Sequence, residues 1–142
     1  MNVDTFKSLL ATQTTPKGFS WSEDASDGKV SRIACRWGFP YYDDDVVIQI
    51  ELTERTMNVS FILDAIAPTY DNLKLVNDFN DQVSFLKAHI RRTQRSFLLY
   101  ISSGLIRVND EQTAVSTFLD LVGYTASQEV AIFLRPLTVI TQ

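Results

Sequence analysis

The chain has 142 residues, 45% hydrophobic and 21% charged, with a net charge of −4. That suits a single domain, 1–142, with a real core, and it argues against a non-specific nucleic-acid binder, because neutralising phosphates needs a basic surface. The lone Cys35 excludes an internal disulfide and fits a reducing compartment. No run approaches the roughly 20 apolar residues of a membrane span, and MNVDTFKSLL lacks the basic start and apolar core of a signal peptide, so the expectation is a cytoplasmic protein without a membrane span.

Val3, Phe6, Leu9 and Leu10 predict a short amphipathic helix, with Asn2 or Asp4 at its start and the Thr14–Gly18 segment ending it. Phe19–Ser22 is a candidate short strand, followed by a turn over Glu23–Gly28. Ile33, Cys35, Trp37 and Phe39 then alternate with Arg32, Ala34, Arg36 and Gly38, the pattern of a half-buried strand. Val46, Ile48, Ile50 and Leu52 form the apolar face of the next strand, and Met57, Val59, Phe61, Leu63 and Ala65 that of a third. Turning at Arg55-Thr56 would set Leu52 against Val59 and Ile50 against Phe61. Turning across Pro40–Asp45 would set Trp37 against Ile48 and Cys35 against Ile50. All these partners are apolar and share a face, which predicts an antiparallel meander with one solvated side.

Pro68 closes the third strand, and Thr69 or Asp71 can cap a helix whose buried stripe is Leu73, Val76, Phe79 and Val83. The period then changes to two: Leu86, Ala88 and Ile90 alternate with Lys87, His89 and Arg91. A loop near Arg92–Arg95 would pair Arg91 with Ser96 and Ile90 with Phe97, leaving Lys87, His89, Arg91, Leu98 and Tyr100 on the opposite face. Asn109 or Asp110 can cap a further helix ending at Gly123, and Thr125 or Ser127 can open a last helical piece before Pro136 and the β-branched tail.

Asn77-x-Phe79-Asn80, Phe85 and Lys87-Ala88 together resemble the N-x-W-N…F-x-K-A signature of the YbjN-like family, whose members are labelled bacterial sensory transduction regulators. Phe79 stands where the signature has Trp, and His89 where an aromatic is usual; the Ser102–Val108 segment departs from the usual Gly-rich approach to the last helix. The elements read above run in the order α-βββ-α-ββ-α, an α+β layout with an antiparallel sheet of about five strands and helices packed on it, and the resemblance implies the fold of the type III secretion chaperones. An extra first strand and a broken last helix fit within that order. The resemblance also implies dimers that bind extended client segments along apolar grooves.

The chemistry-bearing residues favour a non-enzymatic reading, with no catalytic, cofactor or metal site. His89 is the only histidine, flanked by Lys87 and Arg91 with no carboxylate fixed beside it, and Cys35 falls on an apolar face as a core thiol. Asp43, Asp44 and Asp45 are consecutive and cannot all face one ion from a strand, so a solvated loop is the expectation over a cation site. The five glycines form no phosphate-binding loop. Lys87, Arg91, Arg92 and Arg95 are candidate contacts to an anionic partner, set against the plainer reading of a charged hairpin tip that resists edge pairing. Asn77 and Asn80 are expected to tie down the corner between helix and strand.

Apolar positions beyond what one sheet face needs form a candidate interface: Val47, Ile62, Ile66, Leu98, Tyr100 and Phe133, with Val130, Leu137, Val139 and Ile140 near the end. The expectation is a homodimer that binds an unidentified partner protein, as a chaperone or adaptor, through apolar surface or strand edges. A C-terminal segment folded over its own sheet would instead leave a monomer. The alternative function is a regulatory domain responsive to a small molecule or nucleotide, with a pocket lined by Trp21, Trp37 and Tyr41 or Tyr42.

Overall fold

The structure, a computed structural model, describes residues 1–13, 21–24 (backbone only), 30–40, 45–65 and 67–138. Its elements run α1 (Val3–Gln13), β1 (Trp21–Asp24), β2 (Ser31–Trp37), β3 (Val46–Leu52), β4 (Thr56–Ala65), α2 (Tyr70–Gln82), β5 (Lys87–Arg92), β6 (Phe97–Arg107), α3 (Glu111–Thr125), α4 (Gln128–Leu134) and a 3₁₀ turn, Arg135–Leu137. The strands form one antiparallel sheet in the order β1-β2-β3-β4-β6-β5. This is the expected α+β architecture, with the extra first strand and the broken last helix both present. The first strand is described over Trp21–Asp24, which takes Glu23 and Asp24 out of the expected turn. Phe19 and Ser20, the rest of that turn, Asp43, Asp44, Ile66, Val139 and Ile140 lie outside the described residues.

Period-two patterning builds the core. One row of register partners crosses the sheet as Cys35, Ile48, Phe61, Ile101 and Ala88, and another joins Ile33, Ile50 and Val59. All eight are buried. They share a single cluster with Phe6, Leu10, Val76, Phe79, Phe118, Val130 and Leu134 from the four helices. The helices therefore cover one face of the sheet. Phe118 anchors that layer, with edge-on contacts to Phe6 and to Trp37 at centroid distances of 6.1 Å.

The caps follow from the side chains at each helix start. Asn2 Oδ1 accepts from the Thr5 N–H at 2.9 Å, Thr69 Oγ1 from Asn72, Asp110 Oδ1 from Thr113 and Ser127 Oγ from Val130. Each satisfies an N–H that the helix itself leaves unpaired. Gly123 does not end α3, which continues to Thr125 with Ala126 as its C-cap.

The strand faces are as the alternation dictates, but three registers differ from expectation by two residues. Cys35 faces Ile48 rather than Ile50, Ile50 faces Val59 rather than Phe61, and Ile90 faces Leu99 rather than Phe97. Burial fixes which side of a strand is inward and so forbids slips of one; a slip of two keeps every face, and only the turn decides it. Two of the turns are of one kind. In Thr53-Glu54-Arg55-Thr56 and in Thr93-Gln94-Arg95-Ser96, the first Thr N–H donates to the last residue's carbonyl, at 3.0 and 2.8 Å. The last residue's N–H donates to the first Thr Oγ1, at 3.0 Å in both. The hydroxyl takes the place of a main-chain carbonyl. These two-residue loops thus close without the positive φ angles that usually favour Asn-Gly.

In β6 the inward set shifts from odd to even numbers: Leu99 and Ile101 face the core, and so do Ile106 and Val108. The register against β4 shifts between Asn58 and Ser60, a bulge that includes Gly104 at φ +72°. Nothing lies within 4 Å of a Cβ built at Gly104, so its substitution meets only the backbone penalty. Gly104→Ala is expected to destabilise the fold by about 1–2 kcal/mol. Urea unfolding checks this, and an unchanged midpoint would show that Gly104 is not held in the left-handed region.

Candidate functional site

Two places stand apart from the core: the sheet face that none of the described helices covers, and the corner between α2 and β5.

On the uncovered face, Arg36, Val47, Ile62, Tyr100 and His89 are successive register partners across five strands. The row has an apolar centre and cationic or aromatic ends. A second row beside it joins Asp64, Leu98 and Arg91, and a third joins Gln49, Ser60, Ser102 and Lys87. Val47, Leu98 and Tyr100 are half-buried and Ile62 is buried between its neighbours. Leu105 is 77% exposed and faces Asn58 on the same side. It went unread in the sequence because the bulge changes which residues of β6 face outward.

His89 and Tyr100 stack with ring centroids 5.5 Å apart, the Arg91 guanidinium lies over the Tyr100 ring at 4.4 Å, and Arg91 Nε–H donates to His89 Nε2 at 3.0 Å. Accepting that bond requires a neutral imidazole with its proton on Nδ1. Partial burial and, second, the Arg91 charge lower the His89 pKa below the ordinary 6.5. The segment 83–108 carries five of the 13 basic residues of the chain and none of its 17 acidic ones. Among the described residues, none of these cations is in a salt bridge; the described ion pair on this face joins Arg32 to Glu51.

The structure divides the expected sites. Val47, Ile62, Leu98 and Tyr100 come together with Lys87 and Arg91. Strand alternation puts Arg92 on the other side of the sheet, paired with core-packed Phe97, and Arg95 sits in the hairpin loop. Phe133 does not join them: it packs with α4 against the core, alongside buried Val130 and Leu137, because those residues form the inner stripe of the helical layer. Ile66 lies outside the described residues. The Trp37 ring packs edge-on against Phe118; the side chains of Trp21, Tyr41 and Tyr42, the other walls of the expected aromatic pocket, lie outside the described residues. Cys35 is buried, and burial pushes its thiol up to about 12, which leaves no thiolate for catalysis.

At the corner, Asn80 pairs with the free edge of β5 as a peptide group would. Its Nδ2 donates to the Ala88 carbonyl at 3.1 Å and its Oδ1 accepts from the Ala88 N–H at 2.7 Å. Lys87 Nζ donates to the Asn80 carbonyl at 2.6 Å. Phe79 is fully buried beneath. The chain reverses through Phe85, whose φ of +68° is rare for a bulky residue. The Phe85 ring is 82% exposed and meets Tyr124 edge-on, with centroids 6.3 Å apart. It borders a cleft of about 430 Å³ formed with Ser103, Ile106, Thr117, Asp120, Leu121 and Tyr124. Helical spacing groups the α3 residues, but the wall is completed by a bulge and a strained corner that no periodicity reveals.

The sequence matches no protein-family model, and no curated protein matches it at a significant level. The fold does match a solved structure, that of YbjN, "a putative transcription regulator from E. coli". The TM-score is 0.65 over 99% of this chain and 97% of that one, at 14% sequence identity. The chain has the YbjN-like fold. No helix among the described residues is long and apolar enough to cross a membrane.

The His89 geometry sets a pH dependence. Because the folded-state pKa is lowered, the unfolded chain binds this proton more readily. The contribution to stability is complete above 6.5 and is lost as the pH falls through 6.5 toward the folded value. An NMR titration of this single histidine should give a midpoint below 6.5, and Arg91→Ala should raise it only part of the way, since burial is the larger cause. A midpoint at or above 6.5 in the native chain would contradict the neutral, Arg91-bonded imidazole.

Proposed function

We propose that the chain is a non-enzymatic protein-binding module, chaperone-like or an adaptor, that engages a partner protein across the uncovered sheet face. The observation that carries this reading is the row from Arg36 through Val47, Ile62 and Tyr100 to His89. Its apolar centre is continued by Leu98 and flanked by cations with no carboxylate partners among the described residues. Apolar surface gives such a contact its affinity, and uncompensated charge selects a partner with acidic residues around an apolar stripe. A base-stacking role for Tyr100 is disfavoured, because His89 and Arg91 already occupy its ring. The Asn80 clamp on Ala88 also favours the face over the β5 edge at that residue as the surface for a partner.

The fold neighbour is described as "a putative transcription regulator", and a regulator of this kind would act here through another protein. Cytoplasmic location and the absence of a nucleic-acid partner belong to the same proposal. A homodimer would form on the helical side, where α2 and α4 pack on each other and leave Leu73 45% and Ile132 62% exposed. That arrangement keeps both sheet faces free for clients.

Light scattering behind a sizing column should give twice the 16.1 kDa of one chain at micromolar concentration, and the one-chain mass for Ile132→Lys. A one-chain mass for the native protein at every concentration would sink the dimer. Capture from native lysate should retain a partner that is lost with Val47→Lys and Leu98→Lys and weakened by salt. An identical partner set for the native chain and both variants would count against the sheet face.

A further inference from the structure

The cleft beside Phe85 lies away from the uncovered sheet face, and the reading above makes no use of it. Three features of its construction point to a ligand.

The first is Phe85 itself. Glycine or asparagine makes a corner at positive φ with little steric penalty, whereas a phenylalanine is strained there. Here the ring is held at φ +68° yet is 82% exposed, so burial gives it little in return. Strain kept without packing gain marks functional positions.

The second is the pairing of two aromatic rings. Phe85 and Tyr124 meet at 77° with centroids 6.3 Å apart, and Phe85 stays 82% exposed in that contact. The third is charge. Among the described residues, Asp120 is the only Asp, Glu, Lys, Arg or His on the wall, and it lies one helical turn before Tyr124, on the same side of α3. Ser103 has nothing to add: its hydroxyl accepts from the Val59 N–H at 3.1 Å and donates to the Gly104 carbonyl at 2.9 Å. Aromatic faces attract a cation by their quadrupole, and a single carboxylate beside them selects positive charge over neutral apolar matter. A cleft of about 430 Å³ falls within the size range of small-molecule sites.

We propose that this cleft binds a methylated ammonium group, with the cation against the rings of Phe85 and Tyr124 and balanced by Asp120. Its apolar methyl surface rests on Ile106 and Leu121. The group could be carried by a free small molecule or by a methylated lysine side chain, and the probes below separate these sources.

The test is an NMR titration of the full chain in low salt with choline, with N-acetyl-trimethyllysine amide, and with 3,3-dimethylbutan-1-ol, which is choline with carbon in place of the charged nitrogen. Saturable shifts of the Ile106, Leu121 and Tyr124 signals are expected with at least one of the two cations, and whichever binds tighter identifies the source. The neutral isostere should bind roughly tenfold more weakly or less. Asp120→Asn, at an exposed position, should keep the fold and weaken the cation by a similar factor. Phe85→Gly should keep or raise the thermal midpoint while abolishing the shifts. Equal binding of the neutral isostere, undiminished binding by Asp120→Asn, or no saturable shift with either cation would overturn the proposal.

Discussion

The structure depends on one constraint: all four described helices cover a single side of its six-stranded antiparallel sheet. Every helix contributes its buried stripe to the same cluster, so the inward residues of β2, β3, β4, β5 and β6 form a continuous core. The outward residues keep whatever the sequence assigns them. The faces are fixed by hydrophobic burial, worth about 25 cal/mol per Å² of apolar area removed from water, which no local turn preference can override. The consequence is a broad surface of uneven character. Near Glu51 and Asn58 it is polar; along Val47, Ile62 and Tyr100 it is apolar; toward β5 it is positive.

Legibility in the sequence follows that division. Which residues face inward was readable, because a period of two is written directly in Ile33, Cys35, Trp37 and in Val46, Ile48, Ile50, Leu52. Register was not, because apolar pairs remain apolar after a slip of two. The information lay in Thr53-Glu54-Arg55-Thr56 and Thr93-Gln94-Arg95-Ser96, where a threonine hydroxyl substitutes for a carbonyl. Their recurrence as Thr-x-Arg-Thr/Ser was visible but carries no glycine to announce a turn. The bulge had a readable signal too. Leu99 and Ile101 are odd, Ile106 and Val108 are even, and Gly104 lies between.

The candidate sites were only partly legible. The apolar residues of the open face were found as an excess over what one face requires, and the cations as a cluster. Their assembly with Tyr100 and His89 needed the observed register, in which His89 faces Tyr100 rather than Leu98. Phe133 was grouped with them wrongly, because apolar excess alone does not say to which layer a helix turns. The signature residues acquire separate physical jobs in the structure. Phe79 fills the core, Asn80 pairs with the edge of β5, Lys87 holds the end of α2, and Phe85 carries the strained reversal. Tertiary contact alone reveals that Phe85 meets Tyr124, some forty residues later in the chain.

The central claim is that the face bearing Val47, Leu98 and Tyr100 is open in the free protein while its opposite is sealed. Paramagnetic relaxation of side-chain signals by a soluble inert probe measures this directly, residue by residue. The account predicts strong broadening for the Val47 and Leu98 methyls and the Tyr100 ring, with Ile48, Leu99 and Ile101 on the same strands untouched. Equal protection of Val47 and Leu98 with their inward neighbours would contradict it, by showing that this face is already covered.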